Sequence, residues 1–354
     1  MSEWLETTTA SIAPLDEAVL KAARDKWNAV AKPIASLGSF ELMVEKIAGL
    51  VGTTEVDISK RAVVVLCADN GVVAQGVSQS ESDITTVIAG SVARGISSVC
   101  RMAQAGGTDA FSVDMGMVTP SDVPGVIDRS VARGTQDISQ GPAMTREQAL
   151  QAIQAGAELV GMFKEKGYTI LATGEMGIGN TTTSSAVAAA FLGLPVDEVT
   201  GRGAGLSDAG LQRKRAAIER ALQVNQPNPD DALDVLSKLG GFDIAGLAGM
   251  FIGGAVYRVP IVIDGFISAL AAYTAARLCP PCTCAMLGSH MSAEPAARML
   301  MEALDISPVI RAGMRLGEGT GAVMLFPLLD ATLALYNGTT FDATGIEAYE
   351  VNPQ

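Results

Sequence analysis

Histidine, tryptophan and cysteine are scarce: the 354 residues include one His, two Trp and five Cys, and aromatics make up 5% of the chain. With His290 as the only histidine, a zinc site would have to join that ring to the thiols of Cys279-Pro280-Pro281-Cys282-Thr283-Cys284. No second cysteine pair exists, so no metal is expected. The cysteine count is odd and no export signal precedes it, which argues against a disulfide framework. Long hydrophobic runs are also missing. Residues 245–257 are apolar but too short to span a bilayer, and the run from Pro260 carries Asp264, so both read as buried core. The first residues, Met1-Ser2-Glu3-Trp4-Leu5-Glu6, lack the basic and then apolar pattern of a secretory signal, and a cytoplasmic protein is expected. Cations are outnumbered, 25 Lys and Arg against 38 Asp and Glu, for a net charge of −13. That balance argues against a basic surface able to neutralise a run of phosphates, and so against a nucleic-acid partner. A small phosphorylated ligand remains open, because N–H groups at a helix N-terminus bind phosphate without net positive charge on the protein.

Hydrophobic residues make up 48% of the chain, enough for a large core. Abundant Ala and Gly with few aromatics suit helices packed closely on a sheet. Residues 1–60 predict helices, with apolar positions at helical spacing over 15–27 and 42–51. From Arg61 onward, short β-rich runs alternate with helical stretches, and 62–68, 110–114, 168–173, 260–264 and 283–288 predict strands. This alternation predicts an α/β fold, a doubly wound, Rossmann-like parallel sheet with helices on both faces. Residues 61–304 are expected to form that domain, and residues 1–60 with 305–354 a second, smaller helical domain. Asn225-Gln226-Pro227-Asn228-Pro229 is a breaker between helices rather than a linker.

Ligands of an open parallel sheet bind beyond the C-terminal ends of its strands. The exits carry Asp69-Asn70-Gly71, Asp114-Met115-Gly116, Gly174-Glu175-Met176-Gly177, Asp264-Gly265 and Gly288-Ser289-His290. After the strand at 168–173, the loop Gly174-Glu175-Met176-Gly177-Ile178-Gly179-Asn180-Thr181-Thr182 leads into a small-residue helix, a geometry that aims N–H groups at an anion. The plainer reading is an ordinary turn with Thr caps. The loop has no Gly-Lys-Ser/Thr ending and its glycines run G-x-x-G-x-G, so it matches neither a Walker A loop nor a dinucleotide fingerprint, which disfavours an NAD-dependent oxidoreductase. A second glycine loop, Gly201-Arg202-Gly203-Ala204-Gly205, precedes a helix carrying Arg213, Lys214 and Arg215. Lys214 could reach a phosphate from there, or belong to a solvated basic turn. Taken alone, the acid in Leu316-Gly317-Glu318-Gly319-Thr320-Gly321 reads as an exposed turn.

Together these segments resemble the nicotinate-nucleotide:dimethylbenzimidazole phosphoribosyltransferase (CobT) family. The resemblance is carried by the runs at Asp69-Asn70-Gly71, Gly76-Val77-Ser78-Gln79-Ser80, Arg133-Gly134, Gly141-Pro142-Ala143-Met144, the Glu175 loop, Asn225 to Pro229, Gly240-Gly241-Phe242-Asp243, Asp264-Gly265-Phe266, Ser289-His290-Met291-Ser292-Ala293-Glu294 and Arg315 to Ala322. They occur in the family's order over about 70 to 320. The family implies attack by a benzimidazole nitrogen on C1′ of nicotinate mononucleotide, with nicotinate leaving and no cofactor required. It assigns the base to Glu318, which would accept the ring N–H, and it implies a supporting role for Glu175. On this resemblance Gly177, Gly179, Asn180, Thr181, Gly203 and Lys214 hold the phosphate. Asp264, Gly265 and Ser292 line the nucleotide, with Met176 and Gly317 on the same walls, and Ser80 and Ile88 belong near the base. His290 is open between a ligand-side role and a bond to neighbouring backbone.

Three positions depart from the pattern of enzymes specific for dimethylbenzimidazole. Asn70 stands where many members have His, Lys32-Pro33-Ile34-Ala35-Ser36-Leu37-Gly38 replaces a Lys-Pro-Pro-Gly-Ser-Leu-Gly run, and Ile88 stands where some have Gln. The third removes a hydrogen-bonding group and opens the choice of acceptor. Some relatives accept phenol or p-cresol and act as a pair of related chains, and a non-catalytic supporting subunit is a further alternative. The family implies a dimer, homodimer or heterodimer, and small-residue helices such as 245–254 are candidates for its close packing.

Overall fold

A computed structural model describes residues 3–349; Met1, Ser2 and residues 350–354, which belong to the expected terminal segments, lie outside the described residues. Six strands form one sheet in the order β3-β2-β1-β4-β5-β6, every pair parallel. They are β1 (Arg61–Ala68), β2 (Asp109–Gly116), β3 (Ile127–Asp128), β4 (Ile170–Met176), β5 (Ile261–Ile263) and β6 (Met286–Gly288). The expected doubly wound α/β sheet is therefore present. Strand β1 is buried along its whole length, as a central parallel strand covered on both faces must be.

The period of two sorts its residues between the faces. Val64 and Leu66 join a core with helices Arg146–Glu165, Phe242–Tyr257 and Phe266–Leu278; Val63 and Val65 face helices Ser39–Val51, Ser98–Ala105 and Thr320–Tyr336. On the second face the N- and C-terminal segments meet, with the rings of Trp27 and Tyr336 4.8 Å apart.

Three expectations need correction. Strand β3 was not anticipated, because two residues give no readable alternation. The strand expected over 283–288 is confined to Met286–Gly288; Pro280–Ala285 forms a 3-10 turn, since two prolines fix φ and remove N–H donors at its start. Finally, the run expected to pack between subunits is spent inside this chain: residues 242–255 of helix Phe242–Tyr257 are all buried. Among the described residues, no helix is long and apolar enough to cross a membrane.

Candidate active site

The winding direction of the sheet changes between β1 and β4, and the crevice beyond their C-terminal ends is where such sheets take ligands. Pairing of Leu66 with Glu175 and Cys67 with Met176 puts the β4 exit beside the turn at Asp69. A cleft of about 220 Å³ opens there, and it brings together Glu175, Met176, Gly177, Gly179, Asn180, Thr181, Gly203, Asp264, Gly265, Ser292, Gly317 and Glu318. Ser80, Ile88 and Lys214 are not on its lining. Ser80 is half-buried with its N–H donated to Ser78 Oγ at 3.1 Å, and Ser78 and Gln79 reach the cleft in its stead. Ile88 and Met176 both pack against the core on the second face.

Glu318 is not the exposed turn that its flanking glycines suggest alone. Gly317, Glu318 and Gly319 are left-handed in succession, with φ of 85°, 60° and 88°. For a residue with a Cβ this conformation costs about 1–2 kcal/mol, and such strain is tolerated where the surroundings dictate it. Here the loop is pinned from below: Asp264 accepts the N–H of Ala322 at 2.9 Å and of Gly319 at 3.3 Å, capping helix Thr320–Tyr336. A side chain at Gly317 would lie 2.7 Å from Glu175 Oε1, so the loop closes directly onto β4. Glu318 is thus held half-buried, its Oε2 accepting the Val99 N–H at 3.3 Å. Burial raises its pKa above the ordinary carboxylate range, with Asp264 adding to the rise and the donors at Val99 and Ser97 opposing it.

Three segments meet at the end of the cleft where a phosphate is expected. Helix Asn180–Leu192 begins at Gly179 without any side-chain cap, so the plainer reading of Thr capping does not hold. Lys214 is fully buried and donates to Thr181 Oγ1 at 2.8 Å, beside Gly203. Its neighbours Arg213 and Arg215 turn outward to Gly76 O and Asp197. A solvated basic turn is therefore excluded for Lys214. The signal was available: Gly210, Lys214, Ala217, Ile218 and Ala221 share the buried face of helix Asp208–Asn225 at helical spacing. Burial pulls the Lys214 pKa down to about 8, with Glu294 opposing.

Not every expected donor is free. The Asn180 carboxamide donates to Glu175 and, at 3.0 Å, to Asp243 Oδ2. Gly177 is likewise needed by the protein itself, since a Cβ there would come within 2.4 Å of Ala68 O. Sequence reasoning assigned no role to Asp243, Arg202, Glu294 or Arg315. The last three line the cleft, and Glu294 Oε2 is buried without a hydrogen-bond partner. His290 also lines it, with Nδ1 3.3 Å from Ser289 Oγ and 3.9 Å from Asp264 Oδ1. Cys279, Cys282 and Cys284 lie around the 3-10 turn, where Cys279 accepts from Thr9 Oγ1 at 3.3 Å.

A parallel sheet with an uncapped helix N-terminus and a half-buried carboxylate on one cleft, and a buried lysine bonded to Thr181 behind its wall, fits an α/β enzyme that acts on a small phosphorylated substrate. The chain belongs to the phosphoribosyltransferase family, whose profile it matches over residues 12–346. It is 45% identical over 346 residues to the nicotinate-nucleotide--dimethylbenzimidazole phosphoribosyltransferase of Ruminiclostridium cellulolyticum, covering 98% of both chains. The protein of that name from Acetivibrio thermocellus is 43% identical over 97% of this chain and 98% of its own. Among solved structures, CobT from Thermus thermophilus superposes with a TM-score of 0.88 at 37% identity, over 93% of this chain and 99% of that one.

Proposed function

We propose that the chain transfers ribose 5-phosphate from nicotinate mononucleotide to dimethylbenzimidazole or a related aromatic base, giving an α-riboside phosphate for a cobamide lower ligand. The observation that carries this reading is the meeting, in one cleft, of Glu318 with Thr181 and Gly203, Thr181 being backed by the buried Lys214 that donates to its Oγ1. The C1′–nitrogen bond breaks with its electron pair passing to the pyridinium nitrogen, which becomes neutral as nicotinate leaves. One acceptor nitrogen bonds to C1′, and Glu318 takes the proton from the other. A raised carboxylate pKa suits it to that proton. The substrate is already activated, so the scheme takes no metal and no cofactor, and the protein supplies positioning and a base.

The reading places the enzyme in the cytoplasm, since a charged nucleotide does not cross membranes unaided. By family resemblance the working unit is a dimer of this chain or of this chain with a related one, which light scattering reads directly. The acceptor is tested by offering benzimidazole, dimethylbenzimidazole, adenine, phenol and p-cresol together with nicotinate mononucleotide. Mass spectrometry is expected to find the riboside phosphate of an azole with equimolar nicotinate. A phenolic product alone would reassign the acceptor, and no nicotinate with any acceptor would sink the proposal.

Lys214→Met is expected to raise KM for nicotinate mononucleotide by about 10- to 100-fold, the worth of one charge-assisted bond to phosphate. The pH dependence has a definite sign. Raising pH through about 8 removes the ammonium proton, so the parent's KM climbs above that pH. The variant's KM, already high, should stay flat there; an unchanged KM would remove Lys214 from phosphate binding.

A further inference from the structure

Four acids line the cleft: Glu175, Asp264, Glu294 and Glu318. Nicotinate mononucleotide brings two anionic groups into it, a phosphate and the carboxylate of its ring. Among walls so acidic, the ring carboxylate needs a cation of its own. Three side chains that carry or can take a positive charge reach the lining, Arg202, His290 and Arg315. Arg202 is engaged close to its own loop, donating to Leu206 O at 2.9 Å and to Asp208. His290 is buried, with Nδ1 turned to Ser289 and Asp264. Arg315 is uncommitted: among the described residues it has neither a hydrogen bond nor an ion pair. The backbone around it is held on both sides. The Ala293 N–H donates to Met314 O at 3.1 Å, and Gly317 closes onto Glu175. Leu316 follows Arg315 on the lining, 58% exposed, and adds an apolar surface. A planar fork of N–H donors with an exposed apolar neighbour suits a flat ring that bears a carboxylate.

We propose that Arg315 is the specificity residue for the leaving group, its guanidinium pairing with the carboxylate of the nicotinate ring and so selecting nicotinate mononucleotide over nicotinamide mononucleotide. The inference rests on the nicotinate-releasing reaction proposed above. The loop that offers Glu318 to the acceptor thus offers Arg315, three residues earlier, to the group that departs.

The nicotinamide nucleotide isolates this contact. It shares the ribose phosphate and the pyridinium ring and lacks only the charge of the carboxylate, which in the acid faces Arg315. That carboxylate keeps its charge before and after the C1′–nitrogen bond breaks, so its pairing is present in ground and transition states alike. The effect therefore falls on binding of the nucleotide.

Calorimetry without acceptor measures both nucleotides on the parent and on Arg315→Gln, an exposed position where the fold is not at stake. The parent is expected to bind the nicotinate nucleotide about 10-fold more tightly than the nicotinamide nucleotide, the size of one charge-assisted pair. Arg315→Gln should abolish that preference by weakening the nicotinate nucleotide alone. Equal weakening of both nucleotides would assign Arg315 to the phosphate they share and overturns the proposal, as does a preference that survives the substitution. A parent that binds both alike overturns it without any variant. A preference present in the parent and lost in Arg315→Gln, with no nicotinate released to any acceptor, retains the recognition and rejects the proposed reaction, so the two failures are told apart.

Discussion

Glu318→Gln is expected to lower kcat by about 10²- to 10⁴-fold, the range for loss of a positioned general base, with KM for nicotinate mononucleotide changed only a few-fold. The substitution isolates proton acceptance. A glutamine keeps an oxygen for the Val99 N–H, the same length, and the same left-handed backbone between Gly317 and Gly319. What it loses is the ability to take a proton from the incoming nucleophile. Steady-state rates of nicotinate release with each acceptor read the effect. Near-native turnover across azoles and phenols alike would mean that Glu318 is not the base. Because its pKa is raised, the parent's activity should fall as pH drops through a value above the ordinary carboxylate range, and the variant's residual activity should lack that limb.

Gly249→Ala is expected to destabilise the fold by about 3 kcal/mol, although alanine is the better helix former by about 1 kcal/mol. Packing decides the sign. A Cβ at Gly249 would lie 1.9 Å from Ile153 O and 2.8 Å from Ile153 C, and one at Gly156 would lie 1.9 Å from Gly246 O. Helices Arg146–Glu165 and Phe242–Tyr257 thus touch backbone to backbone in both directions, with no flexible side chain to give way. Opening that contact separates two helices that share a core against one face of β1 and β2. The urea midpoint and thermal midpoint should both fall. A variant as stable as the parent would show that the two backbones are not in contact.

These two residues mark how far the sequence could be read. The strand at β1 was legible because a central parallel strand, buried on both faces, is a continuous apolar run, and the glycine-rich strand exits mark the place of the cleft. Lys214 was only half-legible: its helical spacing with Ala217, Ile218 and Ala221 was present, but the flanking Arg213 and Arg215 masked it as a solvated turn. Small residues over 245–254 announced close packing correctly and gave the wrong partner, since a small-residue stripe says that something approaches and not what. Asp243, in a Gly-Gly-Phe-Asp run, offered no sign of Asn180, which stands 63 residues away.

The sequence by itself determined the α/β class, the place of the cleft at the strand exits and the family resemblance that singled out Glu318, because periodicity and turn chemistry are local and written in neighbouring residues. The tertiary structure decided which acids meet, what caps the loop of Glu318 and which way Lys214 faces. Burial and proximity depend on segments far apart in the chain, and the Glu318 carboxylate has its pKa raised by burial and by Asp264, against the Val99 N–H, rather than by the two glycines beside it.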